Sequence, residues 1–302
     1  MLQRLEKHHV RTPRGKGRPD GALHEVTPVR LASQVLRALR QRNGLDPKLI
    51  DDVGLGVVMP LGEQGADLTR VALLDAGYGD DVPGFQLNRY CTSGLDTVNL
   101  VAAAIVSGQA VAAIGGGVES MSRVAIGSDG GPCYTDPQIT RRFPYVPNGV
   151  GADLMATLSD FTREDVDAYA LESQRRAARA RDSGFFDRSL ISVRDILGQV
   201  LLEKDEAIRA GVMAEDLARL KPAFIAAGDQ GFDAVALQRY PHLQGIEHVH
   251  TSGNSSGIVD GACAILVGNR EFGIAAGLAP RARVPDPIQI SCCGYFDRFL
   301  LA

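Results

Sequence analysis

The stretch that most restricts the fold is Leu95 to Ser107. It is apolar almost all round, with Val98, Leu100, Val101, Ala102, Ala103, Ala104, Ile105 and Val106. A helix without a polar face belongs in a core, not on a surface. A short strand-like run, Phe85-Gln86-Leu87, lies just before it, and Asn88-Arg89-Tyr90-Cys91-Thr92-Ser93-Gly94 joins the two. The sequence therefore predicts a strand that hands over to a buried helix across a turn containing Cys91.

The flanking segments extend this pattern. Thr27-Pro28 opens a helix with a capping hydroxyl and a proline at the first helical position. Val29, Leu31, Ala32, Val35, Leu36 and Leu39 follow at helical spacing, and Asn43-Gly44 ends it. Val53 to Met59 reads as a buried strand closed by Pro60, and Ala66 to Ala76 as a second amphipathic helix ending at Gly77. Ala110 to Ile114 reads as another buried strand, running into Gly115-Gly116-Gly117. Alternating strands and helices with short links argue for an α/β layered fold. The three glycines match neither phosphate-binding pattern, since no Gly-x-x-x-x-Gly-Lys or Gly-x-Gly-x-x-Gly is present. Close backbone approach is the better reading, glycine accepting dihedrals that other residues avoid.

Cys91 sits near the N-terminus of the apolar helix. Unpaired N–H groups and the helix dipole there favour a thiolate, the nucleophilic form of cysteine. A lone cysteine is also a good small hydrophobe for packing, and the position alone leaves both readings open.

At 302 residues the chain is long enough for about two domains. With 45% hydrophobic and 23% charged residues it can bury an ordinary globular core. A net charge of −4 gives no reason to expect nucleic acid as a partner. The basic run Arg11 to Arg18 reads as a solvated patch. The five cysteines form no C-x-x-C pair, so neither a zinc site nor a disulfide framework is indicated. That usage fits a reducing, cytoplasmic setting. No secretory leader follows Met1 and no apolar run approaches membrane-spanning length.

Between Ser122 and Glu247 the texture changes, with Gly, Pro and Asp clustered from Gly127 to Pro147. Thr162-Arg-Glu-Asp165 resembles a capping box, and the helix it opens, to about Asp182, carries Arg175, Arg176, Arg179 and Arg181. A charge run on a helix is commonly a solvated face. His8 and His9 read as part of a solvated tail. His242, His248 and His250 have only Glu247 as a nearby carboxylate, which favours structural or solvated histidines over a metal site. In Gly253-Asn254-Ser255-Ser256-Gly257, small polar residues between glycines can bring hydroxyls and backbone close to a ligand. Cys263, inside the strand-like Ala262 to Val267, reads as packing.

Four segments together carry a resemblance. They are Val10-Arg11-Thr12-Pro13-Arg14-Gly15, Asn88 to Leu95, Gly115-Gly116-Gly117-Val118-Glu119-Ser120-Met121-Ser122, and His250-Thr251-Ser252-Gly253-Asn254-Ser255-Ser256-Gly257-Ile258-Val259-Asp260-Gly261. In that order they resemble the thiolase family of acetyl-CoA acetyltransferases and 3-ketoacyl-CoA thiolases. The resemblance runs from about Val10 to about Val284. It implies an N-terminal half-domain over 1–121, an inserted coenzyme A-covering loop domain over 122–249, and a return to the half-domain over 250–284. Residues 285–302 are unlike the family, and the C-terminal half-domain is missing. The core strand that opens the family's half-domain is not recognisable in residues 1–9.

The resemblance also implies the chemistry. Cys91 would attack an acyl-CoA thioester to give an acyl-enzyme. A second cysteine would act as base on acetyl-CoA, whose carbanion attacks the acyl group, and the reverse reaction is thiolysis of a 3-ketoacyl-CoA. The partners implied are acyl-CoA and acetyl-CoA as substrates, with no further cofactor, and a homo-oligomer of two or four copies. Lys221, in Leu220-Lys221-Pro222-Ala223-Phe224, would lie near the nucleotide, and Ser255, Ser256 and Gly257 would bind substrate, with Ser256 on the pantetheine arm. Gly115 to Gly117 would pack beneath the cysteine as support. The family's Asn-Glu-Ala-Phe, Gly-His-Pro and Cys-x-Gly-Gly-Gly segments do not occur, and Cys292-Cys293-Gly294 matches the last only by chance. Activity of a lone chain is therefore expected to be lost or impaired, with the apolar face of the 95–106 helix turned to water. A non-catalytic coenzyme A-binding or interaction remnant is the alternative. A ketoacyl synthase is more remote, because that group shares the cysteine but not Gly-Asn-Ser-Ser-Gly.

Overall fold

A computed structural model describes residues 9–284. Residues 1–8 and the tail 285–302, including Cys292-Cys293-Gly294, lie outside the described residues. The chain divides into two compact units that do not follow the sequence in single runs. Within the described residues, the first gathers 9–129, 185–207 and 258–284, and the second gathers 130–184 and 208–257. Where the sequence predicts an unbroken insertion over 122–249, residues 185–207 fold with the first unit. Ser189 O accepts the Arg11 N–H at 2.8 Å, and Arg11 O accepts the Ile191 N–H at 3.0 Å.

The first unit is built on a mixed sheet. Its strands are β1 (His9–Arg11), β2 (Gly15–Lys16), β3 (Asp52–Gly56), β4 (Gly84–Leu87), β5 (Ala112–Ser120) and β8 (Val259–Gly268). The order is β1-β8-β5-β3-β4, with β2 also paired to β8. Strands β3, β4 and β5 run parallel, and β8 is antiparallel to β5, β1 and β2. A separate two-stranded ribbon joins β6 (Val193–Arg194) and β7 (Val200–Leu202). His9, expected in a solvated tail, pairs with Ile265 in β1. Arg11 is likewise no solvated charge: its guanidinium grips the Asp205 carboxylate at 2.7 and 2.9 Å.

Helix α1 (Pro28–Asn43) and helix α2 (Leu68–Ala76) begin and end close to the sequence expectation. Thr27 precedes α1, but its hydroxyl makes no capping hydrogen bond; Pro28 and the left-handed Gly44 mark the two ends. Helix α2 starts at Leu68, not Ala66, because Ala66 has φ 52°, outside the helical region. Asp67 then caps it, accepting the Arg70 N–H at 3.2 Å. Strand β3 stops at Gly56, short of Met59: the Val57 N–H still donates to Leu87 O at 3.0 Å, but the Glu119 carboxylate takes the N–H groups after it, from Val58 at 2.7 Å and Met59 at 3.3 Å.

Side chains alternate across a strand, and here the two faces differ sharply. Val53, Leu55 and Val57, with Ile114 and Val118, join one core with Leu31, Val35, Leu36 and Leu39 of α1 and Ala72 and Leu73 of α2. Each leucine so buried contributes about 1.5–3 kcal/mol. The intervening positions are glycines: 54 and 56 on β3, 115 and 117 on β5. Helix α3 (Ser93–Val106) lies against the β3–β5 glycines. A Cβ at Gly115 would sit 2.7 Å from Val98 Cα, one at Gly117 3.4 Å from Gly94 Cα, and one at Gly56 inside the Ser93–Gly94 backbone. Close approach is thus what the glycine run provides. The run does not end β5, which continues to Ser120.

Helix α3 is buried on one side only, and apolar surface along it faces water, as expected for the 95–106 helix in this chain. Its buried residues are Ser93, Asp96, Thr97 and Val101, small or polar residues that fit against bare backbone. Leu95, Leu100 and Val106 are 43%, 44% and 90% exposed. The apolar face points away from the sheet, and no described residue buries it. No helix among the described residues is long and apolar enough to cross a membrane.

The second unit has its own core. Val150 and Leu154 of helix α4 (Asn148–Leu158) pack with Val146 and Ala236, and Phe224, Phe232 and Leu243 close over them. Helix α5 (Arg163–Asp182) opens with the expected capping box: Thr162 Oγ1 accepts the Asp165 N–H at 3.2 Å, and the Asp165 carboxylate accepts the Thr162 N–H at 2.9 Å.

Candidate active site

Cys91 is exposed, in the five-residue turn between β4 and α3. The turn depends on Tyr90, whose φ of 50° is left-handed. For a non-glycine residue that conformation costs about 1–3 kcal/mol and persists only where its surroundings enforce it. The enforcing groups are polar neighbours in the same motif. Asn88 Oδ1 accepts the Tyr90 N–H at 2.9 Å, while its Nδ2 donates to Val58 O at 3.0 Å. Ser93 Oγ accepts the Arg89 N–H at 2.8 Å and donates to Tyr90 O at 2.5 Å. Thr92 Oγ1 donates to Arg89 O at 2.8 Å. Arg89 Nε lies 3.1 Å from Asp96 Oδ2, tying the turn to the first turn of α3. The result is a braced elbow that presents one thiol outward.

Cys263 contrasts with it. It lies on β8 opposite Gly117, and burial pushes its thiol pKa up. That suits the packing role expected of it.

In the second unit, the segments carrying the other candidate residues lie side by side. Thr251 pairs with Pro222 in an isolated bridge, and the Ala223 N–H donates to His250 O at 2.8 Å. Lys221, exposed, is therefore next to the segment that leads into Ser255, half-buried, and Ser256 and Gly257, both exposed. A Cβ at Gly253 would come within 2.6 Å of the Leu217 and Leu220 side chains, so glycine lets this loop pack against residues 217–220. Asn254 fixes the loop's shape. Its Oδ1 accepts the Thr251 N–H at 2.7 Å and its Nδ2 donates to Asp167 Oδ1 on α5 at 2.7 Å. Asp167 also binds Arg163 Nε at 2.8 Å. Of the basic residues on α5, Arg175 and Arg176 both pair with Glu172.

Behind the loop stands a group that the sequence did not disclose. Asp153 of α4 is fully buried and accepts four hydrogen bonds. They come from His248 Nδ1 and His250 Nδ1, each at 2.7 Å, and from the N–H groups of Val249 and His250 at 3.1 and 3.0 Å. Burial pushes the Asp153 pKa up, but the bonds from His250 and His248 outweigh this and hold it below the usual aspartate value. His248 Nε2 lies 3.0 Å from Asp233 Oδ2. His248 and His250 are hydrogen-bonded into this unit, and carboxylates beyond Glu247 surround them. Among the described residues, no group of three or more His, Cys, Asp or Glu side chains could hold a metal ion.

Comparison with known proteins agrees with these motifs. Residues 8–271 match the model of the thiolase N-terminal domain. The chain is 38% identical over 296 residues to a beta-ketoadipyl-CoA thiolase of Pseudomonas aeruginosa, covering 91% of this chain and 68% of the relative. It is 32% identical over 290 residues to a 3-ketoacyl-CoA thiolase of Psychrobacter cryohalolentis, covering 94% and 68%. Against an acetyl-CoA acetyltransferase of Escherichia coli the identity is 32% over 281 residues, covering 88% and 66%. The chain thus spans about two thirds of the length of these relatives.

Proposed function

Since the chain belongs to the thiolase family, we propose that it takes an acyl group from coenzyme A onto Cys91, the first step of thiolase-type acyl transfer. The relatives are named for ketoadipyl-, ketoacyl- and acetyl-CoA. Their common element is a coenzyme A thioester, and that is the substrate class assigned here. The Cys91 thiolate attacks the thioester carbonyl carbon, the bond from that carbon to the coenzyme A sulfur breaks, and the released coenzyme A thiolate takes a proton from water. The observation that carries this reading is the elbow: an exposed thiol on a backbone kept in a costly conformation by three polar neighbours, Asn88, Thr92 and Ser93. Lys221, Ser255, Ser256 and Gly257 are assigned to the coenzyme A moiety, a role supported by their adjacency in the second unit.

The full family reaction, acyl-CoA plus acetyl-CoA to 3-ketoacyl-CoA plus coenzyme A or its reverse, also needs a base for the acetyl α-carbon. The 302-residue sequence contains no Gly-His-Pro and no Cys-x-Gly-Gly-Gly to provide the family's histidine and second cysteine. The acyl-enzyme step is the part of that reaction assigned to residues of this chain. The adjacency of Lys221 to the segment bearing Ser255, Ser256 and Gly257 also fits a second reading, a coenzyme A-binding or interaction module without turnover.

Intact-mass spectrometry after incubation with acetyl-CoA separates the two. Acyl transfer gives one acetyl adduct on the wild-type chain and none on Cys91→Ala. Folded wild-type protein that binds acetyl-CoA but forms no adduct leaves only the binding module.

A further inference from the structure

The Asp153 cluster has a property that the acyl-transfer reading does not use. A neutral imidazole has one N–H and one lone pair, whereas an ionised carboxylate can only accept. His248 faces a carboxylate at each ring nitrogen, Asp153 at Nδ1 and Asp233 at Nε2. Neutral His248 would turn a lone pair toward one of them, losing a hydrogen bond and adding repulsion. Only the imidazolium satisfies both. His250 differs, since the bond from its Nδ1 to Asp153 needs a single proton.

We propose that His248 is held as an imidazolium and clamps residues 248–257, so that the loop bearing Ser255, Ser256 and Gly257 loosens when rising pH removes its second proton. The mechanical link is short. Asp153, which both His248 and His250 bind, holds the backbone N–H groups of Val249 and His250, Thr251 is fully buried directly after them, and Asn254 hangs the loop from the Thr251 N–H and from Asp167.

The titratable groups facing His248 are Asp153 from α4 and Asp233 from the helix Asp233–Leu237, with His250 sharing Asp153 from its own segment. Glu247 lies beside it in sequence, its N–H bound to Thr157 Oγ1 on α4. A Cβ at Gly228 would fall 2.6 Å from Asp233 Oδ2, so glycine there leaves room for the second carboxylate. Burial lowers the His248 pKa, but the bonds to Asp153 and Asp233 outweigh it and raise the pKa above the ordinary 6.5. A raised folded-state value means that the clamp's contribution is fully present below 6.5 and is lost as pH rises through the folded value.

The effect on acyl-CoA rests on the coenzyme A role proposed for the loop, so the test reads clamp and ligand separately. Side-chain ¹⁵N NMR of the histidines in the full chain, from pH 5.5 to 9.5, reports the protons on His248. Hydrogen exchange reports protection of 248–257, and acetyl-CoA binding is titrated in parallel. Both His248 nitrogens are expected to be protonated at pH 7, with protection over 249–254 falling as one proton leaves and protection of α5 unchanged. In Asp233→Asn the amide can donate to a neutral Nε2, so the midpoint should drop by about one pH unit or more. A neutral His248 at pH 7 in the wild-type chain overturns the clamp, as does an unmoved midpoint in folded Asp233→Asn. Should that variant not fold, the wild-type titration decides alone. If protonation and loop protection titrate together but acetyl-CoA binds at no pH, the clamp stands and the coenzyme A reading falls. If acetyl-CoA binds while His248 is neutral, the reverse holds.

Discussion

Thr97 and Gly116 exchange a pair of hydrogen bonds across the interface between α3 and β5. Thr97 Oγ1 donates to Gly116 O at 2.7 Å and accepts the Gly116 N–H at 3.1 Å, with Thr97 fully buried. Thr97→Val keeps the shape and removes both bonds, leaving buried backbone groups without this partner. The expected loss is about 1–3 kcal/mol in urea unfolding. Thr97→Ser, which retains the hydroxyl, should recover most of it; equal losses in the two variants would deny the hydrogen bonds their role.

The glycine floor under α3 makes a sharper demand. Gly115→Ala places a methyl 2.7 Å from Val98 Cα, a main-chain atom that no rotamer change can move. Overpacking of this kind costs about 1–3 kcal/mol. Gly211→Ala, where nothing lies within 4 Å of the added carbon, is the matched control and should be nearly silent. Thermal unfolding of the two side by side checks the contrast.

Thiol reactivity should follow position. Cys91 is exposed, whereas burial raises the Cys263 pKa and so depletes its thiolate. Iodoacetamide at pH 8 is expected to label Cys91 more than about tenfold faster than Cys263 in the native chain. Peptide mapping over a time course gives both rates, and labelling at equal rates would contradict the burial argument.

Asp205 should contribute to acid sensitivity. Burial pushes its pKa up, but the Arg11 guanidinium and the Arg14 N–H outweigh burial and hold it below the ordinary 3.8. Its contribution is therefore complete above pH 3.8 and lost as pH falls through the lower folded value. Asp205→Asn should be less stable at pH 7 by about 1–3 kcal/mol and should lose less stability than wild type on acidification. Urea midpoints at pH 7, 4 and 3 read both effects.

Legibility from sequence tracked locality. The apolar periods of α1 and α2 and the glycines that stop them depend on neighbouring residues, and both helices appear close to where those signals lie. The Cys91 turn was equally visible, because Asn88, Thr92 and Ser93 brace it from within the same motif. What escaped was set by distant partners. Which side of α3 meets the sheet follows from glycines on β3 and β5, so an apolar count along α3 does not say which face is buried. The histidine cluster escaped for the same reason, since Asp153 and Asp233 lie 95 and 15 residues from His248.

Most helices rest on a sheet through layers of side chains, which can shift rotamer and absorb a displacement. Over Gly56, Gly115 and Gly117, α3 has almost no such cushion, since backbone meets backbone. Close-packed main chain is hard to compress, so this contact behaves as a stiff bearing. The Cys91 elbow is mounted at its end, like a tool tip on a short shank. Its height above the sheet is fixed by van der Waals radii, and any change in reach must come from the turn itself.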